Sequence, residues 1–193
     1  MAKSICVFCA SSSAVDPRFA KLAYDTGAEL ARRGHTLVYG GAKVGMMAAV
    51  AAGVHQNGGK VIGVIPKSIQ DRGIACLAAG ELIVTSGMRE RKTVMEQRSD
   101  GFLTLPGAFG TLEEFFEILV LRQLGYHEKP IVLLNADHFY DPLLEMFAGF
   151  YEQNFAKPAL ANSYSVRTGV GSALDYLETC QPDEAVSKWF ENS

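Results

Sequence analysis

Short apolar segments alternate with longer helical segments along almost the whole chain, and this alternation limits the folds open to it. The apolar segments are continuous, whereas the segments between them carry apolar residues at helical spacing. Continuous apolar strands are typical of a parallel sheet with helices on both faces, because neither side of such a strand meets water. Strands that alternate with helices form right-handed βαβ units. The sequence therefore predicts an α/β fold.

The order of the predicted elements makes this fold more specific. Strands are predicted at Lys3–Cys9, Thr36–Tyr39, Val61–Ile65, Glu81–Thr85, Gly101–Leu105, Pro130–Leu134 and Tyr164–Arg167. Helices are predicted from Pro17 to Arg33, from Gly45 to Gln56, over Met88–Arg98, from about Thr111 onward, and over Phe139–Phe155, Val170–Thr179 and Asp183–Phe190. Residues 67–80 are expected to be irregular, with at most a short helix. We expect one doubly wound, Rossmann-like domain over residues 1–193, with a mostly parallel sheet.

The segment Leu105–Glu114 joins the end of a predicted strand to the beginning of a helix. Gly107 and Gly110 form the turn, and the helix is predicted to begin near Thr111. The start of a helix presents unpaired N–H groups and the positive end of the helix dipole, which together bind phosphate. Glu114 lies one turn into this helix. The segment predicts a phosphate site beside a carboxylate, and the alternative is a turn that only connects two elements.

Three loops of the predicted sheet are rich in glycine or serine. They are Ser11-Ser12-Ser13, Gly40-Gly41 and the turn containing Gly107 and Gly110. All three follow predicted strands, and ligands of such sheets bind beyond the carboxyl ends of the strands. Neither the dinucleotide fingerprint nor the Walker motif is present in these loops. A mononucleotide or sugar phosphate is therefore favoured over NAD or ATP.

The segment 88–92 places several basic residues at the start of a predicted helix. Arg89, Arg91 and Lys92 oppose the helix dipole there, so an anion nearby would compensate them. Arginine also suits bidentate recognition of phosphate or carboxylate. A solvated helix end is the alternative interpretation of this segment.

Composition and charge exclude other classes of function. The net charge is −3, and no cluster of basic residues resembles a nucleic-acid-binding surface. The sequence has no apolar run of membrane-spanning length and no pattern typical of a signal peptide. We therefore expect a cytoplasmic protein that binds neither nucleic acid nor membrane.

The cysteines and histidines do not indicate a metal or redox site. Cys6 and Cys9 form a C-x-x-C pair inside a predicted strand, where an offset of three places the side chains on opposite faces. A redox C-x-x-C normally begins a helix instead. We predict no metal and no cofactor. The histidines are separated in the sequence and are expected at the surface or in loops: His35, His55, His127 and His138.

Two of these segments, taken together, resemble motifs of a known family. Met88-Arg89-Glu90-Arg91-Lys92 and Pro106-Gly107-Ala108-Phe109-Gly110-Thr111-Leu112-Glu113-Glu114 are similar to the patterns M-x-E-R-K and P-G-G-x-G-T-x-x-E of the LOG (LONELY GUY) family. The residues 38–47, 123–130 and 133–135 extend the resemblance, which covers roughly residues 3–155. Members of this family are cytokinin riboside 5′-monophosphate phosphoribohydrolases, often labelled lysine decarboxylases.

The resemblance implies roles for individual residues. Arg91 and Glu114 correspond to the catalytic arginine and glutamate of the family. The substrate-binding residues it implies, together with those of the other loops, are Ser11, Gly40, Gly41, Met88, Arg89, Lys92, Gly107, Ala108, Phe109, Gly110 and Thr111. The implied reaction hydrolyses the N-glycosidic bond of a nucleoside 5′-monophosphate to a free base and ribose 5-phosphate. A homodimer with sites near its interface is also implied.

Some positions depart from the family pattern. Ala108 replaces the second glycine of P-G-G, and its methyl group disfavours positive φ angles and takes space beside a phosphate. Ala10 stands where the family tends to have glycine, and Arg89 stands where histidine is common. These departures are expected to affect the substrate preference more than the activity.

The chemistry of N-glycoside cleavage suits the two implied catalytic residues. The reaction develops oxocarbenium character on the ribose, which a carboxylate can stabilise while it also positions hydroxyls or activates water. Glu114 is favoured over Glu113 and Glu117, which are predicted to stack on each other and face solvent. Arg91 is too basic to donate a proton readily, so it is expected to bind the ligand or stabilise charge.

Three other functions are weighed against this one. A decarboxylase would need pyridoxal phosphate on a lysine with a partner for the ring nitrogen, and the chain shows no such arrangement. A non-catalytic nucleotide carrier or sensor on the same fold is the main alternative. Phosphoribohydrolase action on AMP is the third. The sequence leaves open whether prenylated adenine nucleotides or AMP are the substrate.

Overall fold

Seven parallel strands form one sheet in the computed structural model, which describes residues 1–76 and 80–180. The strands are β1 (Ser4–Phe8), β2 (Thr36–Tyr39), β3 (Lys60–Pro66), β4 (Glu81–Thr85), β5 (Gly101–Thr104), β6 (Ile131–Leu134) and β7 (Ser165–Arg167). Their order across the sheet is β4-β3-β2-β1-β5-β6-β7, and each neighbouring pair is parallel. The predicted α/β class and parallel sheet are confirmed.

Helices connect the strands and lie on both faces of the sheet. They are α1 (Pro17–Arg32), α2 (Gly45–Gln56), α3 (Lys67–Gln70), α4 (Met88–Gln97), α5 (Phe109–Gln123), α6 (Asp141–Glu152) and α7 (Val170–Thr179). Short 3-10 helices cover Ala136–His138 and Pro158–Ser163. The last predicted helix, Asp183–Phe190, lies outside the described residues. The extent of the single domain over residues 1–193 stays a prediction.

The two faces of the sheet carry separate apolar cores. On one face, Leu30 of α1, Val50 of α2 and Leu174 of α7 belong to one buried cluster. The other face packs against α4, α5 and α6 through a second cluster, whose members include Met95, Phe115 and Phe147. Burial of these apolar surfaces is the main stabilisation of the fold. The doubly wound arrangement predicted from the continuous apolar strands is therefore observed.

The pair Cys6 and Cys9 is divided between these two cores. Cys6 belongs to the cluster under α4, α5 and α6, and Cys9 to the cluster under α1, α2 and α7. Both are free thiols and both are buried. The prediction that an offset of three would separate their side chains is confirmed.

Several element boundaries differ from the predictions by one residue, α6 ends three residues before the predicted Phe155, and the starts of two helices differ by two residues. Helix α5 begins at Phe109, two residues before the predicted start, because residue 108 has extended backbone angles and acts as the N-cap. Helix α6 begins at Asp141 rather than Phe139. Asp137 and His138 have positive φ angles, so a right-handed helix cannot continue through them and α6 begins after them.

The histidines only partly match the expectation. His35 and His127 lie in loops but are buried, with 3% and 8% of their surface exposed. His127 Nδ1 accepts a hydrogen bond from the backbone N–H of Lys129 at 3.2 Å, so its Nε2 donates to the Ile118 carbonyl at 3.0 Å. Burial lowers the pKa of His127, which keeps the ring neutral. His55 lies within α2 and is partly exposed.

The strand order reverses direction at β1. The chain builds β2, β3 and β4 outward on one side of β1 and then returns to place β5, β6 and β7 on the other side. The connections that leave β1 and β5 therefore lead to helices on opposite faces, and a crevice opens between them at the carboxyl edge. No helix among the described residues is long and apolar enough to cross a membrane.

Candidate active site

A cavity of about 520 Å³ lies at this reversal point. Its walls come from the loops that follow β1, β2 and β5, together with the first turns of α2, α4 and α5. Predicted site residues that line it are Ser11, Gly40, Met88, Arg91, Ala108, Gly110, Thr111 and Glu114. The remaining predicted residues lie outside this lining: Gly41, Arg89, Lys92, Gly107 and Phe109.

The turn after β5 presents the beginning of α5 to the cavity. The first backbone bond of the helix runs from the Leu112 N–H to the Ala108 carbonyl, so the preceding N–H groups have no partner within the helix. No side chain caps this end. Gly110 and Thr111 line the cavity beside these groups. The arrangement is therefore suited to bind an anionic group such as a phosphate.

Close packing explains Gly107, although it does not line the cavity. A Cβ atom at this position would lie 2.2 Å from Thr111 Oγ1, so only glycine fits against that side chain. The hydroxyl of Tyr140 donates to the Leu105 carbonyl at 2.8 Å, and its oxygen also interacts with the backbone of Gly107. Tyr140 thus stabilises the turn through its hydroxyl group, a role that the sequence did not indicate.

The geometry of Ala108 accommodates its side chain. Its φ angle is −99° and its ψ angle is −148°, so the backbone does not require glycine here. The adjacent Phe109 is 91% exposed and points away from the cavity lining. The departure from the P-G-G pattern is therefore compatible with the observed turn.

A buried ion pair joins α4 to α5 at the cavity wall. Arg91 Nη1 lies 2.7 Å from Glu114 Oε1, and the two side chains are 8% and 12% exposed. Arg91 Nε also donates to the Val64 carbonyl of β3 at 3.1 Å. Burial raises the pKa of Glu114, while the Arg91 guanidinium opposes that rise. The pair brings together two residues that lie far apart in the sequence.

Lys92 does not itself line the cavity, but it pairs with Glu113, which does, so its place near the ligand stays a prediction. Its ammonium group binds the carboxylates of Glu113 and Glu117, one turn apart on α5. The sequence predicts that these two glutamates face solvent, and both stay partly exposed, but their carboxylates pair with Lys92. These pairs raise the pKa of Lys92. The carboxylates of α5 therefore supply the anions that the basic first turn of α4 requires.

Apolar residues complete the cavity, and sequence reasoning missed them. Cys76 N–H and Lys43 N–H bond to the carbonyls of Gly41 and Ile74 at 2.8 Å, which holds residues 74–76 beside the loop after β2. The sequence did not mark these apolar residues as cavity lining, although two of them lie in the stretch 38–47 that extends the family resemblance, because apolar side chains at helical spacing are indistinguishable from core residues. Those lining the cavity are Val44, Met47, Ile69 and Ile74.

The fold and the cavity together define a class of protein. A parallel sheet reverses direction at β1, and an uncapped helix start faces the crevice there. A buried carboxylate paired with an arginine lies in the wall of the same crevice. This is an α/β protein with a mononucleotide-sized site and a carboxylate positioned to act on the ligand.

Comparison with known proteins identifies the family within that class. A family model described as "Possible lysine decarboxylase" matches residues 47–177. Two cytokinin riboside 5′-monophosphate phosphoribohydrolases of Arabidopsis thaliana are 38% and 39% identical over 97% and 96% of this chain, and the alignments cover 84% and 87% of those proteins. The chain belongs to the LOG family, as its two motifs indicated.

Solved structures extend the comparison of the fold. The molybdenum cofactor binding protein of Rippkaea orientalis superposes with a TM-score of 0.71 over 93% of this chain and 97% of that protein. The two sequences are 23% identical, so the likeness concerns the fold alone.

Proposed function

We propose that this chain hydrolyses the N-glycosidic bond of cytokinin riboside 5′-monophosphates to a free base and ribose 5-phosphate. The observation that carries the proposal is the buried pair of Arg91 and Glu114 beside the start of α5, in one cavity. The relatives at 38% and 39% identity are named for this activity. Family membership confirms the prediction of an N-glycosidic hydrolase.

The phosphate of the substrate binds at the start of α5. The free N–H groups around Gly110 and Thr111, together with the helix dipole, stabilise its negative charge. Glu114 lies one helical turn further along, so a ribose attached to that phosphate reaches its carboxylate. Anchoring the phosphate supplies binding energy that orients the scissile bond. Monophosphates are therefore substrates, and unphosphorylated ribosides are not.

Glu114 acts on the ribose as the bond to the base breaks. The electron pair of the bond leaves with the base, which takes up a proton from solvent, and the ribose carbon C1′ acquires oxocarbenium character. The Glu114 carboxylate stabilises that charge and accepts a proton from the water whose oxygen adds to C1′. Burial raises the pKa of Glu114, and the Arg91 guanidinium opposes that rise and so favours the carboxylate form. Both residues thus serve the same step.

The lining of the cavity supports a base with an apolar substituent. Val44, Met47, Ile69 and Ile74 offer apolar surface, which an isopentenyl group would cover and AMP would leave in contact with water. Among the described residues, those lining the cavity include no lysine, so a Schiff base with pyridoxal phosphate has no anchor there. The cytoplasmic location expected from the sequence stays a prediction.

A substrate panel tests the proposed reaction. Purified protein is incubated with isopentenyladenosine 5′-monophosphate, AMP and the two matching ribosides, and the free base is measured by chromatography. We expect release from the monophosphates alone, faster from the prenylated one. Faster release from AMP would make the chain a general AMP phosphoribohydrolase. Tight nucleotide binding without any release would instead favour a carrier and contradict the enzyme proposal.

The exposed apolar side chains support a homodimer. Most of those among the described residues belong to α4, α5 and α6 or to the turns that follow them, all on one face of the sheet: Met88, Phe109, Val120, Leu124, Tyr126, Met146, Phe150 and Phe155. Soluble monomers rarely expose much apolar surface in one region. Paired copies related by a twofold axis would bury it.

Charged substitutions on this face test the homodimer by light scattering. Val120→Glu/Leu124→Glu changes one side of α5, and Met146→Glu/Phe150→Glu changes one side of α6. We expect a wild-type mass of two chains and a mass of one chain for at least one of these pairs. Val84→Glu on the edge strand β4 is the control and should stay dimeric. A monomeric wild type would refute the dimer, and two dimeric double variants would refute this face as its interface.

A further inference from the structure

The Cα atom of Gly40 lies against the guanidinium of Arg91. A Cβ atom at Gly40 would lie 2.2 Å from Arg91 Nη2 and 3.4 Å from its Cζ. It would also lie 2.9 Å from the sulfur of Met47. The first of these distances is far shorter than any real contact, so an alanine at this position would have to displace the guanidinium.

We infer that Gly40 is a positioning residue for Arg91, because the absence of a side chain at Gly40 creates the space in which the guanidinium lies. This inference rests on the proposed function, in which Arg91 and Glu114 act on the nucleotide. It gives Gly40 a role separate from direct contact with the substrate.

Three elements hold the guanidinium in this place. The backbone of Gly40 follows β2 and borders Nη2, the Val64 carbonyl of β3 accepts from Nε at 3.1 Å, and Glu114 of α5 binds Nη1 at 2.7 Å. Arg91 lines the cavity, but its guanidinium is one rigid planar group, so Nε and Nη1 move together with Nη2. A shift that relieves a clash at Nη2 therefore disturbs at least one of the two hydrogen bonds.

The next residue, Gly41, is required for a different reason. Its φ angle is +69°, and a Cβ atom there would lie 3.2 Å from the backbone nitrogen of Val64. Substitution of Gly41 would strain the backbone itself. At Gly40, by contrast, the nearest atoms are the ends of flexible side chains. Gly40→Ala is therefore expected to fold and to displace Arg91.

Displacement of Arg91 has a specific electrostatic consequence. Arg91 opposes the rise that burial causes in the pKa of Glu114. Weakening the pair removes that opposition, so the pKa of Glu114 moves further upward and less of it is ionised at a given pH. The acid limb of the pH–rate profile, which reports the ionisation of Glu114, should move to higher pH.

Gly40→Ala and Gly87→Ala form a matched pair for the kinetic test. Gly87 lies just before α4, nothing lies within 4 Å of a Cβ atom built there, and its φ angle of −169° suits any residue. We expect Gly40→Ala to lower kcat about 10²-fold, with KM little changed and the acid limb at higher pH. Gly87→Ala should match the wild type. Equal behaviour of the two variants would overturn the inference.

A stability cycle tests the same contact without relying on activity. Gly40→Ala is made in the wild type and in an Arg91→Ala/Glu114→Gln background, which lacks the guanidinium and leaves no buried charge. We expect the loss in Tm to be clearly smaller in that background, because the clash is absent. Equal losses would overturn the inference, even if no substrate had been found. If Gly40→Ala fails to fold in the wild type, a folded triple variant supports the inference and an unfolded one overturns it.

Discussion

Replacing Glu114 by glutamine is expected to lower kcat by about 10²- to 10⁴-fold, the range typical of a lost general base. The amide has nearly the same shape as the carboxylate but cannot accept a proton or balance the positive charge that develops on the ribose. The proposed phosphate site at the start of α5 lies one turn away, so nucleotide affinity should change much less than kcat. Burial raises the pKa of Glu114, so wild-type activity should fall as the pH decreases through that pKa.

Release of base under single-turnover conditions and binding of AMP by calorimetry separate these two effects. Glu145→Gln is the matched control, because it makes the same charge change at an exposed position of α6. It should leave both measurements unchanged. A Glu114→Gln variant that hydrolyses at the wild-type rate would remove Glu114 from the mechanism.

Arg91→Ala is expected to reduce the free energy of unfolding by about 3–5 kcal/mol at neutral pH, because it leaves the Glu114 carboxylate buried without its partner. The two side chains are 8% and 12% exposed, so water compensates little for the lost pair. The nucleotide-hydrolysing activity should fall as well, because the pKa of Glu114 rises further without Arg91 and less of it is ionised to stabilise charge on the ribose.

The pH dependence of this loss follows from the pKa of Glu114. Burial raises the pKa of the folded state above that of the unfolded chain, and removal of Arg91 raises it further. The folded state then binds the proton more tightly, so the penalty is present above the raised pKa and is lost as the pH falls towards the unfolded value. The difference between Arg91→Ala and the wild type should therefore shrink at about pH 4, near the ordinary pKa of a glutamate.

Urea unfolding at neutral and acid pH measures both the loss in the free energy of unfolding and its dependence on pH. Arg98→Ala is the control, because Arg98 pairs with Glu81 at the surface, where their side chains are 42% and 47% exposed. That loss should stay below about 1 kcal/mol. If Arg91→Ala costs no more than Arg98→Ala, the pair with Glu114 does not stabilise the fold.

Much of this fold follows from local patterns in the sequence. The alternation of apolar strands and helices predicts the parallel sheet because burial on both sides of a strand requires a continuous apolar run. The glycines Gly107 and Gly110 after a strand also predict the turn that leads into α5, although the structure shows that Gly107 is required by close packing against Thr111. Arg91 and Glu114 each stand in a recognisable motif, so both could be found before their contact was known.

The environment of each site residue was decided by contacts between distant segments. Lys92 lies in the same motif as Arg91, yet it pairs with Glu113 and Glu117 of α5 rather than lining the cavity. The apolar lining could not be recognised as such from the sequence, because apolar residues that line a cavity obey the same spacing as those in a core.

Gly40 is the clearest example of a contact that the sequence does not reveal. A pair of glycines after a strand predicts a turn, and the positive φ of Gly41 fits that prediction. Nothing local distinguishes Gly40, because the atom that excludes a side chain there belongs to Arg91, in a helix two strands further along the chain. The sequence by itself determined the order of the elements and the residues capable of chemistry. The tertiary structure decided which of them meet, because close packing between α4, α5 and the ends of β2 and β3 sets the distances.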